Sequence, residues 1–238
     1  MFNNNFFLDK KVLITGNTGF KGSWLSIWLD LLGAKIYGLA LEPPTNPSLY
    51  VEAKLKNIVD NKVINIKDAD KVSALIKNIE PDFIFHLAAQ PLVKYSYLEP
   101  IETWQTNLMG TVNVLDSLRL LDKKCIGVII TSDKCYENQE WEWGYRETDQ
   151  LGGSDPYSAS KGASELAFSS YYRSFFSDKS LTKIRIASAR AGNVIGGGDW
   201  AENRIVPDCI KAWVTNSTVE IKSPNSTRPF QHVLEPLS

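Results

Sequence analysis

The 238-residue sequence lacks the marks of several protein classes. Its three cysteines, Cys125, Cys135 and Cys209, match neither a disulfide framework nor a set of metal ligands. Its longest apolar stretch, WLSIWLDLLGA, is short and interrupted by Asp30, so it is not a membrane span. Neither charge dominates, because 26 Lys and Arg residues balance 27 Asp and Glu residues. No overall field therefore attracts nucleic acid.

The amino-terminal segment MFNNNFFLDKK lacks the basic region, apolar core and cleavage site of a secretory signal. We therefore expect a protein of the reducing cytoplasm. Its composition predicts no metal site and neither a membrane nor a nucleic acid as a partner.

Apolar segments alternate with amphipathic segments along the chain. The predicted strands, with their exits, are KVLITG, KIYGLAL, KVINI, PDFIFHLAA, CIGVIITS and LTKIRIASARAGNVIG. The predicted helices are GSWLSIWLDLLGA, KVSALIKNI, IETWQTNLMGTVNVLDSLRLL and PYSASKGASELAFSSYYRSFF. Wholly apolar strands separated by helices are typical of a parallel sheet covered on both faces. The sequence therefore predicts an α/β fold with a doubly wound parallel sheet of the Rossmann type.

The segment TGNTGFKG joins the first predicted strand to the first predicted helix and places Gly16, Gly19 and Gly22 at G-x-x-G-x-x-G spacing. In such a turn the first glycine permits the bend, the second lets backbone approach a pyrophosphate, and the third packs helix against strand. The phosphates then lie at the positive end of the helix. We predict a dinucleotide site here, which also includes Phe20 and Lys21.

The second predicted strand bears on the choice between NAD and NADP. An acidic residue that binds the adenosine ribose is expected near Leu39 or Ala40, but the first carboxylate is Glu42. No arginine occurs there to bind a 2′-phosphate, and this favours NAD. Asn65 and Ile66, at the end of the third predicted strand, either flank the adenine or end the strand at the surface.

Tyr157 and Lys161 lie four residues apart on a helix that Pro156 can open, so their side chains share one face. A phenol is a poor base at neutral pH, but an adjacent ammonium stabilises the phenolate. The pair predicts that Tyr157 takes the proton of a substrate hydroxyl as hydride leaves. Lys161 would lower the pKa of Tyr157 and could also hold the nicotinamide ribose. TSDK, at the end of the fifth predicted strand, lies where doubly wound sheets bind ligands.

The segments TGxxGFKG, HLAAQPLV, TNxxGT, TSDKCYEN, YSASK and GNVIGGGDW together resemble the extended short-chain dehydrogenase/reductase family of nucleotide-sugar epimerases and dehydratases. Within it, PPTNPSLY, SDKCYENQEWEWGYRETDQLGGSDPYSASK and RPFQHVLEPL resemble the branch that dehydrates CDP-glucose. The resemblance covers essentially the whole chain. It implies an NAD-dependent 4,6-dehydratase, which is a hydro-lyase of deoxysugar and lipopolysaccharide O-antigen biosynthesis. It also implies a homodimer formed by two of the predicted helices, the one that begins IETWQ and the one that contains Tyr157.

The resemblance implies a reaction in which C4 of the glucosyl ring is oxidised, water is eliminated across C5 and C6, and hydride returns to C6. Tyr157 would be the base for the C4 hydroxyl with Lys161 as its partner, Ser132 would hydrogen bond the same oxygen, and Asp133 would protonate the departing C6 hydroxyl. The better-known dTDP-glucose enzymes carry Asp-Glu where this chain has Asp-Lys. Lys134 is therefore the base for the C5 proton, a support for the enolate, or an ion-pair partner of Asp133.

Further residues are candidates for binding. Leu87, Ala88, Ala89 and Gln90 end the fourth predicted strand and are expected to line the cofactor cleft. His86 and Cys135 are interpreted as packed residues, and Asn107 as a structural residue that binds backbone. Asn193, Arg204 and Arg228 are candidates for the phosphates and ribose of the nucleotide, because a diphosphate favours fork-shaped donors. Trp200 would contact the base or pack its loop, and Arg204 is alternatively a surface charge.

The segment 137–155 lies between the strand that ends in TSDK and the helix of Tyr157. Its residues Trp141, Trp143 and Tyr145 either stack on the sugar or pack the loop against the domain. We expect an NAD-binding domain over 1–190 and the start of a small, incomplete substrate lobe over 191–238, because relatives continue beyond HVLEPLS. Two alternatives stay open: a C4 epimerase, which does not need Asp133 and Lys134, and a fragment that binds NAD without turnover.

Overall fold

A computed structural model describes residues 6–221 and 223–238. Its centre is a six-stranded sheet in the order β3-β2-β1-β4-β5-β6, with parallel pairing throughout. The strands are β1 (Lys11–Thr15), β2 (Lys35–Ala40), β3 (Val59–Val63), β4 (Phe83–His86), β5 (Cys125–Ile130) and β6 (Ile184–Ala189). This confirms the predicted doubly wound sheet. The strand order reverses between β1 and β4, which is where such sheets bind ligands.

Helices pack on both faces of the sheet. They are α1 (Phe20–Leu31), α2 (Leu49–Glu52), α3 (Ala69–Ile79), α4 (Val93–Leu98), α5 (Pro100–Trp104), α6 (Gly110–Arg119), α7 (Pro156–Tyr171), α8 (Ile205–Val214) and α9 (Leu234–Leu237). The other helical segments are two 3₁₀ turns, Leu55–Asn57 and Asp133–Cys135, and two π-helical turns, Gln105–Met109 and Tyr172–Phe176. Among these residues, no helix is long and apolar enough to cross a bilayer.

The strands are apolar because both of their faces are covered. Val12 and Ile14 of β1 pack with Leu25 of α1 on one face. Leu13, between them in the chain, packs with Leu115 of α6 on the other face. All three β1 side chains are fully buried. Side chains alternate between the faces of a strand, so a strand with helices on both sides shows no polar alternation.

The third strand differs from its prediction. The apolar run KVINI places it too late, because β3 starts at Val59 and pairs Ile36 with Val59 and Ala40 with Val63. β3 is an edge strand, and its sequence VDNKV is mostly exposed, so hydrophobicity does not mark it. Asn65 and Ile66 consequently lie beyond the strand end.

The predicted helix over IETWQTNLMGTVNVLDSLRLL is interrupted. α5 and α6 are joined by the π-helical turn Gln105–Met109, which inserts an extra residue into the hydrogen-bond ladder. Such insertions are frequent at functional sites, and this one contains Asn107.

The segment after β6 contacts the helix that follows the glycine turn. β7 (Val194–Ile195) pairs in parallel with β8 (Gln231–His232). The indole of Trp24 on α1 donates to the carbonyl of Gly197 at 3.0 Å, and its ring lies 6.0 Å from the His232 ring. The segment that includes α8 therefore lies beside the start of α1. Its division from 1–190 as a substrate lobe stays a prediction.

Candidate active site

The glycine turn lies directly against the end of β4. Gly16 has φ +76°, and a Cβ there would lie 2.8 Å from the backbone nitrogen of Ala88. A Cβ on Gly22 would lie 2.2 Å from the carbonyl oxygen of Gly16. Both positions therefore require glycine, and the turn forms one wall of a cleft whose other wall is the segment after β4.

The start of α1 fits the diphosphate of a dinucleotide. Its N-cap, Gly19, makes no side-chain capping hydrogen bond, and no acidic residue occupies the first turn. The positive end of this helix therefore carries no carboxylate of its own in the first turn that would repel a phosphate. Phe20 and Lys21 lie in that first turn, since α1 begins two residues before the predicted helix, whereas Glu42 lies exposed two residues beyond β2.

The two central candidates lie together on α7. Asp155 caps this helix, since its carboxylate accepts a hydrogen bond from the Ser158 amide at 2.9 Å, and Pro156 is the first residue. Tyr157 is 9% exposed and Lys161 is 6% exposed. The Tyr157 phenol hydrogen bonds Ser132 at the end of β5 and feels the charges of Asp133 and Arg204. The fold therefore brings the strand end and the helix face to one point.

The pKa shifts at this point differ from the prediction. Burial raises the pKa of Tyr157, and the charge of Asp133 adds to it, while Ser132 and Arg204 offset only part of the rise. Lys161 was expected to lower the pKa of Tyr157, but it is not among the groups that act on this pKa, which is raised. Instead Lys161 itself is perturbed, because burial and then the positive charge of Lys21 lower its pKa to about 8.

Lys21 belongs to the same electrostatic cluster. Burial lowers its pKa first, Arg204 lowers it further, and Asp133 and Asp199 act in the opposite direction. Nothing in the spacing of the glycines indicates that the charge of Lys21, in the cofactor turn, interacts with that of Asp133.

Asp133 and Lys134 form an ion pair. The Lys134 ammonium donates to Oδ2 of Asp133 at 3.0 Å, and the Ser132 hydroxyl donates to Oδ1 of the same carboxylate at 3.0 Å. The side chains of Asp133 and Lys134 are 29% and 36% exposed, so a ligand in the cleft can reach both. Of the three roles predicted for Lys134, the ion pair is the one that the resting structure displays.

His86 is a packed residue, as expected. It is 2% exposed, and burial lowers its pKa to about 3. Its Nδ1 lies 2.7 Å from the Thr15 hydroxyl, which also accepts the Ala88 amide, and its Nε2 lies 3.1 Å from the Thr111 hydroxyl. Because Thr111 donates its own proton to the Asn107 carbonyl, the ring proton of His86 belongs on Nε2.

Asn107 confirms its interpretation as a backbone-binding residue. Its Oδ1 accepts the Gln90 amide at 2.8 Å, and its Nδ2 donates to the Gln90 carbonyl at 3.1 Å. The same nitrogen donates to the Ser160 hydroxyl of α7 at 2.9 Å. The exit of β4, with Leu87 and Ala88, is thereby fixed relative to the helix of Tyr157.

Of the substrate candidates, Arg204 comes nearest to the reaction centre. It forms an ion pair with Asp199 at 2.8 Å and acts on the pKa of Tyr157. Trp200 lines a cavity of about 160 Å³ together with Gly196–Asp199, Val206, Pro207 and Ile210. The Asn193 carbonyl accepts the Gln231 amide at 3.1 Å, which joins β7 to β8.

The structure gives no contact between Arg228 and Tyr157 among the described residues. It is exposed, and its guanidinium donates to the carbonyl of its neighbour Thr227 at 2.6 Å.

The aromatic residues of the long loop pack on one another. Tyr145 stacks on Tyr136 at 5.0 Å between ring centroids and lies 5.1 Å from Trp141. Trp143 is 68% exposed. Of the two predicted roles, Tyr145 therefore shows packing within the loop, whereas most of the Trp143 side chain is exposed to solvent. Cys135, at the start of this loop, is fully buried, and burial raises its pKa to about 11, which agrees with a packing role.

Comparison with known proteins decides the family. A family model described as GDP-mannose 4,6 dehydratase matches residues 13–206. The chain belongs to this family. Its members of known function include the 4,6-dehydratases of nucleotide sugars, and the chain is an extended short-chain dehydrogenase/reductase.

Several relatives of this dehydratase family are similar over most of the chain. The CDP-glucose 4,6-dehydratase of Salmonella typhimurium is 49% identical over 240 residues, which are 100% of this chain and 67% of that protein. The dTDP-D-glucose 4,6-dehydratase of Dictyostelium discoideum is 28% identical, over 98% of this chain and 55% of that one. The chain thus spans 55% to 67% of the length of these two relatives.

Solved structures show the same fold. A double mutant of dTDP-glucose 4,6-dehydratase from Streptomyces venezuelae with NAD bound has TM-score 0.80 and 20% identity, over 95% of this chain and 69% of that one. The UDP-glucose 4-epimerase of Thermotoga maritima with UDP-glucose has TM-score 0.80 and 21% identity, over 95% and 71%. These two likenesses support the fold alone.

Proposed function

We propose that the protein is an NAD-dependent hydro-lyase that converts CDP-glucose to CDP-4-keto-6-deoxyglucose. One observation carries this proposal. Two pairs of side chains, Tyr157 with Lys161 and Asp133 with Lys134, lie together at the carboxyl end of β5. A C4 epimerase needs only the first pair. The identity of 49% to a CDP-glucose 4,6-dehydratase supports both the reaction and the nucleotide.

The first step is proton transfer from the C4 hydroxyl to the Tyr157 oxygen, with Ser132 hydrogen bonded to the same group. Bound NAD would supply the hydride acceptor for C4 and the hydride donor for C6, and its positive charge would favour a phenolate. Burial holds the pKa of Tyr157 high, so two groups are needed to stabilise the phenolate. One is the positive charge of Arg204, and the other is the Ser132 hydroxyl, whose proton would turn from Asp133 to the Tyr157 oxygen. Lys161, buried on the same face of α7, would hold the nicotinamide ribose of bound NAD.

The second step uses one proton that Asp133 and Lys134 already share. A ketone at C4 acidifies the C5 proton, and elimination then needs a base for C5 and an acid for the C6 hydroxyl. Moving the proton of the 3.0 Å hydrogen bond from Lys134 to Asp133 creates both groups at once.

The cofactor-binding residues follow from the same geometry. Gly16, Gly19, Phe20, Lys21 and Gly22 would hold the diphosphate of NAD, and the segment Leu87–Gln90 would face its nicotinamide half. Asn65 and Ile66 would flank the adenine. We propose NAD rather than NADP because the end of β2 carries no arginine for a 2′-phosphate.

For the substrate we propose Arg204 as the main phosphate contact, because it lies near both Tyr157 and the Asp199 side of the cavity. Trp200 would contact the nucleotide base from that cavity. Asn193 and Arg228 complete the proposed set. The division into an NAD-binding domain over 1–190 and a substrate lobe over 191–238 is part of the same proposal.

We propose that the protein acts as a homodimer. Large apolar side chains are exposed on α4, α5, α7 and the turn after α7, and they include Tyr97, Leu98, Ile101, Leu166 and Phe175. Leu98 and Ile101 are 71% and 72% exposed, which is costly for side chains of this size unless a partner covers them. Sedimentation of the wild type and of Ile101→Asp tests this, since the variant is expected to be monomeric.

The setting of the reaction is also a proposal. All three cysteines are free, which suits the reducing cytoplasm. A relative from Salmonella typhi that is 28% identical, CDP-paratose 2-epimerase, also acts on a CDP-linked sugar. This supports a role in deoxysugar supply for lipopolysaccharide O-antigen, testable from the sugar composition of a deletion strain.

Mass spectrometry of the product tests the proposed function. The chain is incubated with NAD or NADP and, separately, with CDP-glucose, dTDP-glucose and GDP-mannose. We expect loss of one water from CDP-glucose alone, and only with NAD. An isomer of unchanged mass would instead indicate the C4 epimerase. An unchanged sugar with NAD still bound would indicate a cofactor-binding segment without turnover.

A further inference from the structure

A carboxylate on the catalytic helix joins the ends of two strands. Glu165 lies on α7, four residues after Lys161, and is 3% exposed. It accepts hydrogen bonds from the Thr131 hydroxyl, from the Ser188 hydroxyl at 3.1 Å and from Arg190 at 2.9 Å. Thr131 immediately precedes Ser132, so Glu165 holds the segment that carries Ser132, Asp133 and Lys134.

Arg190 extends this connection to the long loop. Its guanidinium bonds Glu165 through one nitrogen and, through another, donates to the Tyr136 hydroxyl at 2.8 Å and the Glu147 carbonyl at 3.1 Å. The guanidinium carbon also lies 4.9 Å from the centroid of the Tyr136 ring. Arg190 thus uses the fork and the flat face that distinguish arginine from lysine.

The connection continues through stacked rings. Tyr136 stacks on Tyr145, which contacts Trp141, so ring contacts lead from Arg190 to the exposed part of the loop. At the base of the loop, a Cβ on Gly162 of α7 would lie only 3.1 Å from the Gly152 carbonyl. The loop is therefore packed against α7 at its base and tied to it through Arg190 further out.

We propose that Glu165 and Arg190 are positioning residues that hold the 137–155 loop closed beside the sugar while the oxidised intermediate is present. This proposal rests on the proposed function, because the intermediate that the loop would retain is the 4-keto sugar formed before water is lost. The pair is largely buried, with Arg190 17% and Glu165 3% exposed, so it is not a solvated surface pair of little consequence.

The consequence of an open loop is a defined side reaction. If the 4-keto sugar leaves before elimination, the hydride stays on the cofactor and the enzyme is left with NADH. Nothing else is consumed, and each escape inactivates one active site until an oxidised cofactor replaces NADH. The ratio of dehydrated product to trapped NADH therefore measures how well the loop retains the intermediate.

The test compares Arg190→Met and Arg190→Lys with wild type. We expect Arg190→Met to lower the ratio of product to trapped NADH by about tenfold, because the loop no longer holds its position. Arg190→Lys keeps the charge but not the fork, so its ratio should lie in between. In hydrogen exchange, Arg190→Met should expose the loop amides of Glu137, Asp149 and Gly152, with β1 unchanged. These amides donate to the carbonyls of Gln150, Arg146 and Cys135 respectively.

Arg119→Met is the matched control. Arg119 also bonds a carboxylate, that of Asp116, at 2.7 Å and lies 5.2 Å from the ring of Phe175, but it is at the far end of α6. If Arg190→Met lowers stability yet matches Arg119→Met in the product ratio and in loop exchange, the pair is structural only and the proposal is wrong.

Two further arms keep the test decisive. If Arg190→Met does not fold, Tyr136→Leu removes the ring contact while leaving the Glu165 and Arg190 pair intact, and the same two readouts apply. If the wild type dehydrates no nucleotide sugar, the proposed function fails on its own account. Loop exchange alone then decides whether Arg190 holds the loop, and unchanged exchange overturns the proposal.

Discussion

Two loops form the site, and they are held in opposite ways. The glycine turn after β1 is fixed by backbone against backbone, with the Gly16 position 2.8 Å from Ala88 nitrogen if a Cβ were present. The loop after β5 is fixed by side chains that come from elsewhere, Arg190 after β6 and Glu165 on α7. A short turn built from glycine serves any dinucleotide. A long loop anchored by side chains from two other parts of the fold can be specific for one reaction.

The largest loss of turnover should come from substitution of Tyr157, on the helix that follows the long loop. Tyr157→Phe removes the group that takes the C4 proton, so turnover should fall by about 10² to 10⁴. Cofactor affinity should change little, because the glycine turn is untouched. Single-turnover absorbance at saturating NAD measures the oxidation step directly. Turnover within threefold of wild type would mean that another group is the base.

Lys134→Ala separates the two steps of the reaction. Without Lys134 the C5 proton has no base, so elimination should fall by on the order of 10² while C4 oxidation persists. NADH should then accumulate in single-turnover absorbance. Equal loss of both steps would contradict the role proposed for this residue and leave it as an ion-pair partner of Asp133.

Gly16→Ala and Gly144→Ala compare the loops themselves. At Gly16 the positive φ and the contact with Ala88 oppose a Cβ, whereas nothing lies within 4 Å of a Cβ on Gly144 in the long loop. Strain of about 1 to 3 kcal/mol predicts roughly tenfold to hundredfold weaker NAD binding for Gly16→Ala. Calorimetric titration should give wild-type affinity for Gly144→Ala. Equal affinities for both variants would remove the distinction between the loops.

The last effect appears only on acidification and concerns His86, which packs beneath the glycine turn. His86 has a pKa of about 3 in the fold against 6.5 as the ordinary value. Between these pH values the unfolded chain binds more protons, so stability falls as the pH is lowered. From pH 7 to 4.5 this should cost roughly 2.5 kcal/mol.

His86→Gln should remove that part of the acid sensitivity, as measured by urea unfolding at the two pH values. His232→Gln, at the other and exposed histidine, is the control. If His86→Gln and wild type lose equal stability on acidification, the neutral buried ring is not the cause.

The sequence was sufficient for features that depend on near neighbours. The alternation of wholly apolar strands with amphipathic helices predicted the sheet, the glycine spacing predicted a tight turn between β1 and α1, and the four-residue interval predicted that Tyr157 and Lys161 share a face. Each of these follows from the geometry of one turn, strand or helix.

The sequence was insufficient where burial or distant contacts decide. β3 was predicted too late because an edge strand need not be apolar. The pKa of Tyr157 was predicted to fall, but its direction depends on how deeply the fold buries the phenol. Arg190 was missed because its partners Tyr136 and Glu165 lie 54 and 25 residues away in sequence, and no local pattern joins them.

The most direct test of the account follows a deuterium label. CDP-glucose labelled at C4 is incubated with the chain and NAD, and the product is examined by NMR. The account predicts loss of one water and the label on the C6 methyl group, because the hydride removed from C4 is returned to C6. Label retained at C4 in a sugar that has lost no water would contradict it.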